Sequence, residues 1–186
     1  MATHTPPNPD GSSPQQRKFS EEPPMIIDKD TRYVATMVTT HGTMVIALDP
    51  LAAPKTVNSF VFLSRYHYYD GIVFHRVIPG FVLQGGDPTG SGSGGPGYRF
   101  DDELPAPGKY KVGSLAMANA GPDTNGSQFF VISGPDGVRL PPLYSLFGEV
   151  VSGLDVVEKI DALGSRSGSP KERVVIESVT VEERDS

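Results

Sequence analysis

Apolar residues alternate with polar ones in two neighbouring stretches, Arg32–Thr39 and residues 43–48. His41 and Gly42 separate the two stretches, and a short turn between alternating segments predicts an antiparallel hairpin. The same alternation returns at residues 174–181 and predicts a closing strand near the end of the chain.

Helical spacing replaces this alternation at two places. Pro54 suits the first turn of a helix, and it is followed at helical spacing by Val57, Phe60, Val61 and Ser64. A second helix is predicted over residues 154–163, with Gly164 as its stop. Short segments bounded by Gly and Pro fill the rest, up to residues 147–151, with no βαβ rhythm. This pattern predicts a β-rich sandwich or barrel with helices packed outside.

The two ends of the chain differ in composition from the middle. Residues 1–24 are rich in Pro, Ser, Gln, Asn and charge, which predicts a disordered tail because such a segment buries little apolar surface. The folded domain is expected over residues 25–182, and the polar residues 183–186 are expected to fray.

Composition excludes several classes of function. The 186 residues include no Cys, so disulfides and thiolate sites are excluded. The net charge is −6 without a basic cluster, which argues against binding to nucleic acid or to a membrane surface. No apolar stretch reaches the roughly 20 residues of a spanning helix, and no signal peptide is visible, so a cytoplasmic protein is expected.

Two stretches, residues 74–87 and 116–130, concentrate the candidate chemistry. They contain the motifs FHRVIPGF, QGGD, MANAGP and TNGSQFF, with GSGGPGY between them and FGEV after them. In order and spacing these motifs resemble the cyclophilin family, over about residues 31 to 182. The resemblance implies a closed antiparallel barrel of eight strands capped by two helices. It also implies a peptidyl-prolyl cis/trans isomerase that acts on proline-containing segments of client proteins, without cofactor or metal.

The residue types suit that reaction. Rotation about an Xaa-Pro bond faces a barrier of about 18–20 kcal/mol that comes from amide resonance. A catalyst must therefore stabilise the twisted amide, whose nitrogen gains a lone pair. A guanidinium such as that of Arg76 is always charged and donates from a rigid fork, and neither a general base nor a covalent intermediate is needed.

The resemblance also assigns the site. Arg76 is the central catalytic residue, Gln84 orients it, and Phe81 completes the catalytic set. The proline ring would lie against Phe81, Val82, Phe130 and Leu140. The other residues assigned to substrate are Gly92 at an adjoining pocket, Ala118 and Ala120 in the floor, Asn119 on the substrate main chain, and Gln128 and Tyr144.

Three positions depart from the family pattern. Val82 stands where members often have Met, and Tyr144 where many have His. Arg139 stands where cyclosporin-sensitive members carry Trp, and the chain has no Trp at all. We therefore expect weakened cyclosporin binding with catalysis retained.

Simpler interpretations exist for each feature. Alone, Arg76 would be an ordinary surface residue, Phe81 and Phe130 core residues, and Asn119 a turn residue. His75 neighbours Arg76 on a strand and is expected to point inward as a core residue. Residues 92–97 fit G-x-G-x-x-G without the strand and helix that a dinucleotide site needs.

Two functions from different classes use the same pocket. One is the isomerase, and the other is a proline-binding or chaperone module without turnover. The pair Arg76 and Gln84 favours the enzyme, since binding alone needs no guanidinium at the amide. A serine hydrolase is not supported, because the chain has no G-x-S-x-G elbow. We expect a monomer.

Overall fold

The protein folds as one antiparallel sheet packed with helices. The computed structural model describes residues 5–185, and within them there are eight strands and three helices. The strands are β1 (Arg32–Thr39), β2 (Gly42–Leu48), β3 (Arg76–Ile78), β4 (Val82–Gly85), β5 (Ser114–Met117), β6 (Phe129–Ile132), β7 (Leu146–Ser152) and β8 (Ile176–Arg184). The helices are α1 (Pro54–Arg65), α2 (Pro135–Val138) and α3 (Leu154–Asp161). The order across the sheet is β3-β4-β6-β5-β7-β2-β1-β8.

The predicted mainly β architecture is confirmed. The hairpin forms between β1 and β2, where Thr39 pairs with Gly42, and β8 pairs along the other edge of β1. Helix α1 begins at Pro54, as predicted, and its inner face is buried. Helix α3 begins at Leu154 but ends at Asp161, before the predicted stop at Gly164.

The predicted closed barrel is wrong, because the sheet is an open, curled half-barrel whose end strands are β3 and β8. Strand β3 has only three residues, and a loop covers its outer edge. The Val77 N–H donates to the Gly168 carbonyl at 2.8 Å, and the Val77 carbonyl accepts from Ser165 N–H at 3.1 Å. The segment before β3 approaches the start of β8 at an isolated bridge between Val73 and Val175, outside both strands.

The prediction of two helices is also incomplete. Helix α2 has four residues, begins at Pro135 and directly follows β6 with only a short connection. So short a segment offers no helical periodicity to detect. No helix in residues 5–185 is long and apolar enough to cross a membrane.

Buried side chains form two hydrophobic clusters on the two faces of the sheet. The main core lies inside the curl and contains most of the buried aromatic residues, including Phe129. A smaller cluster, which we call the outer cluster, contains Phe130. Successive residues of a strand point to opposite faces, so β6 contributes to both clusters.

The N-terminal segment differs from the expected disordered tail. Residues 5–24, which we call the N-terminal arm, contain no helix or strand. They nevertheless lie against the domain, and Phe19 is 5% exposed within the main core. The Asn58 side chain holds the end of the arm, since its Nδ2 donates to the Pro24 carbonyl at 3.0 Å. Residues 1–4 of the predicted tail lie outside the described residues.

At the other end, β8 continues past the predicted boundary at residue 182. Glu183 pairs with Tyr33, and Arg184 pairs with Arg32 on β1. The fraying expected for residues 183–186 therefore does not apply to these two, because the edge of β1 supplies backbone partners. Ser186 lies outside the described residues.

Candidate functional site

Arg76 lies on the exposed side of β3 beside the outer cluster. In the β3–β4 ladder Arg76 pairs directly with Gln84, so both side chains share one face. Arg76 Nη1 donates to Gln84 Oε1 at 3.2 Å, and the Arg76 Cζ lies 5.9 Å from the centre of the Phe81 ring. The predicted catalytic set is thus one contiguous group.

A glycine that the sequence did not single out makes room for this arginine. A Cβ on Gly168 would lie 3.0 Å from Arg76 Cγ, and the φ of Gly168 is +91°. A larger residue there would be strained and would displace the aliphatic part of Arg76. Nothing in the sequence indicated that Gly168 contacts Arg76, because almost a hundred residues separate the two positions.

A relay of side-chain amides connects Arg76 to a loop. Gln84 Nε2 donates to Gln128 Oε1 at 3.2 Å. Gln128 Nε2 donates in turn to the carbonyls of Gly92 at 2.9 Å and Gly94 at 3.1 Å. Gln84 thus has a partner on each side, Arg76 on one and Gln128 on the other.

The outer cluster contains every apolar residue that the resemblance assigned to the proline pocket. Its buried members are Val82, Tyr110, Ala116, Phe130 and Ile132, and its half-buried members are Phe81, Ala118, Leu140, Tyr144 and Leu146. The Phe130 and Tyr144 rings meet edge to face, with centroids 5.3 Å apart and an interplanar angle of 85°. The partly exposed rim leaves apolar surface open on the outside of the sheet.

Sequence reasoning missed Tyr110, which holds Tyr144 in place. The Tyr110 hydroxyl donates to the Tyr144 carbonyl at 2.6 Å and accepts from the Tyr144 N–H at 3.2 Å. Burial raises the pKa of Tyr110, so the hydroxyl keeps its proton. An aromatic residue in the loop before β5 was the only available signal.

Asn119 lies at the edge of the outer cluster, but its side chain is already engaged. Its Nδ2 donates to the Leu143 carbonyl at 3.0 Å, and its Oδ1 accepts from Gly121 N–H at 3.2 Å. No residue in the described part of the chain bonds to its backbone N–H or carbonyl. Contact with a substrate main chain would therefore use the backbone of Asn119.

A cavity of about 870 Å³ adjoins the outer cluster. Its lining includes Gln84 and a loop over residues 92–97, together with five of the residues assigned to substrate, namely Gly92, Ala118, Asn119, Ala120 and Gln128. We call it the glycine-walled cavity. It shares Gln84 and Gln128 with the relay, which connects the cavity to Arg76.

Asp87 organises the start of that loop and was not given a role from the sequence. Its Oδ1 accepts from Thr89 N–H and Oγ1, both at 2.8 Å, and its Oδ2 accepts from Ser91 N–H at 3.1 Å and Gly92 N–H at 2.6 Å. Burial raises the pKa of Asp87, but the bonds from Thr89, Gly94 and Gly92 outweigh it and lower the pKa to about 2.

His75 is half-buried, which differs from the expected satisfied core histidine. Its Nδ1 is buried without a hydrogen-bond partner in residues 5–185, and burial lowers its pKa. A neutral imidazole follows. The same residues contain no group of three or more His, Cys, Asp or Glu side chains that could hold a metal ion.

Comparison with known proteins agrees with this geometry. A profile described as "Cyclophilin type peptidyl-prolyl cis-trans isomerase/CLD" matches residues 34–181. The peptidyl-prolyl cis-trans isomerase B of Streptomyces anulatus is 48% identical over 170 residues, 81% of this chain and 97% of that protein. Isomerase A of Mycobacterium tuberculosis is 46% identical over 166 residues, 79% of this chain and 91% of that protein.

A solved structure has the same fold. It is a Cryptosporidium parvum cyclophilin type peptidyl-prolyl cis-trans isomerase, determined in the presence of the dipeptide Ala-Pro. The sequences are 34% identical, and the match covers 81% of this chain and 99% of that chain, with a TM-score of 0.75.

Proposed function

Because the chain belongs to the cyclophilin-type peptidyl-prolyl cis-trans isomerase family and is an isomerase of that class, we propose that Arg76 stabilises the twisted Xaa-Pro amide of its substrates. The observation that carries this mechanism is the pairing of Arg76 with Gln84 directly beside the outer cluster. A proline ring on that cluster lies within reach of the guanidinium.

Arg76 acts through hydrogen bonding to the amide as it twists. In the planar ground state the prolyl nitrogen has no free lone pair, whereas in the transition state it becomes pyramidal and accepts a hydrogen bond. A donor that is already oriented by Gln84 favours the transition state over both planar isomers. No proton is transferred, so no titrating group is required.

The rest of the substrate is held by two further contacts. Phe130, Val82 and Leu140 bury one face of the proline ring, and the free backbone of Asn119 pairs with the substrate chain. The Ala-Pro dipeptide named for the related structure is consistent with a proline-containing substrate. Cytoplasmic residence, a monomeric state and weakened cyclosporin binding stay predictions.

The test compares wild type with Arg76→Ala on a proline peptide, at about 10 °C, where uncatalysed isomerisation takes minutes. We expect kcat/KM to fall about 100-fold or more, the loss typical of removing one transition-state donor. Arg32→Ala removes another exposed arginine, on β1, and is expected to keep full activity. Because the Arg76 side chain is exposed, the thermal stability of the Arg76→Ala variant should be close to that of wild type.

The alternative is a module that binds proline peptides without turnover. Folded wild-type protein that binds the peptide and does not accelerate its isomerisation would establish that module and refute the proposed role of Arg76. Arg76→Lys sharpens the result, because it keeps the charge but loses the rigid fork. Its activity is expected between those of wild type and Arg76→Ala.

A further inference from the structure

The wall of the glycine-walled cavity has little rigidity of its own. Residues 92–97 form no helix or strand, and four of the six are Gly92, Gly94, Gly95 and Gly97. Glycine loses more conformational freedom on ordering than any other residue. The shape of this wall therefore depends on the segments that pack against it. On the inner side, these are Gln128 and Asp87, as described above.

On the outer side, the wall packs against the N-terminal arm. The Phe19 N–H donates to the Pro96 carbonyl at 2.9 Å, and the Phe19 ring lies 6.3 Å from the ring of Tyr98. A Cβ on Gly97 would lie 2.1 Å from the Phe19 carbonyl oxygen. The two backbones are thus in contact at a position that excludes a larger residue. Pro96, Gly97 and Tyr98 all line the cavity.

The arm is anchored to the domain independently of this wall. Arg17 Nε donates to the Tyr68 carbonyl at 3.0 Å, and its Nη2 donates to the Asp70 carbonyl. The Phe19 ring also meets Phe62, with centroids 5.2 Å apart. Phe19 therefore links the end of α1 and the segment after it to the glycine-rich wall.

We propose that the N-terminal arm is a positioning element of the glycine-walled cavity, and that Phe19 determines how tightly the enzyme binds the residues that flank the proline. This inference rests on the proposed isomerase function. Phe19 does not line the cavity and acts through Pro96, Gly97 and Tyr98. A wall that is ordered before binding spares the peptide the entropic cost of ordering it.

The effect should depend on the length of the substrate. A capped Ala-Pro dipeptide occupies the outer cluster and reaches Arg76 without filling the cavity. A longer peptide with the same Ala-Pro pair and bulky residues on both sides also fills the cavity. Loss of the arm's support should weaken binding of the longer peptide and leave the chemistry at Arg76 unchanged.

The experiment measures KM and kcat for both peptides by exchange NMR in full-length variants. Phe19→Ala is expected to raise KM for the longer peptide about tenfold without changing kcat, and to leave the dipeptide unchanged. Phe19→Leu, which keeps an apolar side chain, should restore most of the binding. Lys18→Ala changes an exposed neighbour and should behave as wild type.

A second variant guards against misfolding of Phe19→Ala. Arg17→Ala loosens the anchor without opening a hole in the core, and a smaller rise in KM for the longer peptide is expected. The inference is overturned if both variants keep the wild-type KM, or if KM for the two peptides rises equally. A wild type that accelerates neither peptide would instead refute the proposed function.

Discussion

Phe129 and Phe130 follow each other on β6, yet they lie in two regions that the protein's own side chains cover to different extents. Phe129 is fully buried in the main core, where its ring is surrounded by those of Phe60, Tyr69 and Phe74. Phe130 belongs to the outer cluster, whose rim is only half-buried, and Tyr144 is its ring neighbour. One face of the sheet is completed by the chain's own side chains and supplies stability. The other is left incomplete, and it is the face where the proposed function places the proline ring.

The sharpest test of this comparison replaces each phenylalanine with leucine. Phe129→Leu should lower the free energy of unfolding by about 2 kcal/mol, because it leaves a gap among packed rings. Phe130→Leu should lower it by less, because the outer cluster is already partly open. It should reduce kcat/KM about tenfold, since the proline ring loses an aromatic face.

Denaturant unfolding and peptide isomerisation measure the two effects separately. Phe129→Leu serves as the matched control for Phe130→Leu, since both change the same residue type on one strand. Activity per folded molecule should stay close to wild type in Phe129→Leu. Equal losses of activity in the two variants would mean that the two faces are not functionally distinct.

Local sequence pattern predicted elements that enclose the main core, and the motifs predicted the residues around the outer cluster. Alternation was enough for the β1–β2 hairpin, and the spacing after Pro54 was enough for α1, because both depend on neighbouring residues. The motifs placed Arg76, Gln84 and Phe130 together, and the register of β3, β4 and β6 accounts for their proximity.

Features that depend on distant contacts could not be predicted. The sheet ends at β3 where a loop over residues 165–168 bonds the outer edge of that strand. The N-terminal arm is held by contacts with distant parts of the chain, among them those of Arg17 and Phe19. Neither leaves a periodic trace. The composition of residues 1–24 argued for disorder, but a few specific contacts at Arg17 and Phe19 are enough to position the arm.

A change that disturbs the cavity wall should reduce isomerase activity less than a change in the outer cluster does. Asp87→Asn places an amide where the carboxylate accepts from Thr89, Ser91 and Gly92, so at least one donor loses its partner. We expect a loss of about 1–3 kcal/mol in the free energy of unfolding. KM for the longer peptide should rise severalfold, while the Ala-Pro dipeptide keeps its wild-type value.

Asp101→Asn is the matched control, because it neutralises an exposed carboxylate that follows the same loop in the chain. It should change neither stability nor KM. If Asp87→Asn affects both peptides equally, Asp87 supports Arg76 as well as the wall, and the separation between the outer cluster and the cavity fails.

The smallest of the predicted effects is that of pH on the docking of the N-terminal arm, through protonation of His67. His67 Nε2 lies 2.7 Å from the Gly11 carbonyl, and its Nδ1 lies 3.0 Å from Asp70 Oδ2. Both neighbours accept, so only the protonated ring donates to both. The bond to Gly11 and the Asp70 carboxylate raise the pKa of His67 above 6.5, although burial opposes them.

A pKa raised by folding fixes the sign of the pH dependence. The extra docking of the arm is fully present below about pH 6.5 and is lost as the pH rises through the higher pKa of the folded protein. Hydrogen exchange at the Phe19 amide, corrected for the intrinsic effect of pH, should therefore become faster on going from acid to mildly alkaline solution. His67→Gln donates from a single amide at every pH and should abolish the change. If the corrected exchange is equally pH-dependent in His67→Gln, another group controls the arm.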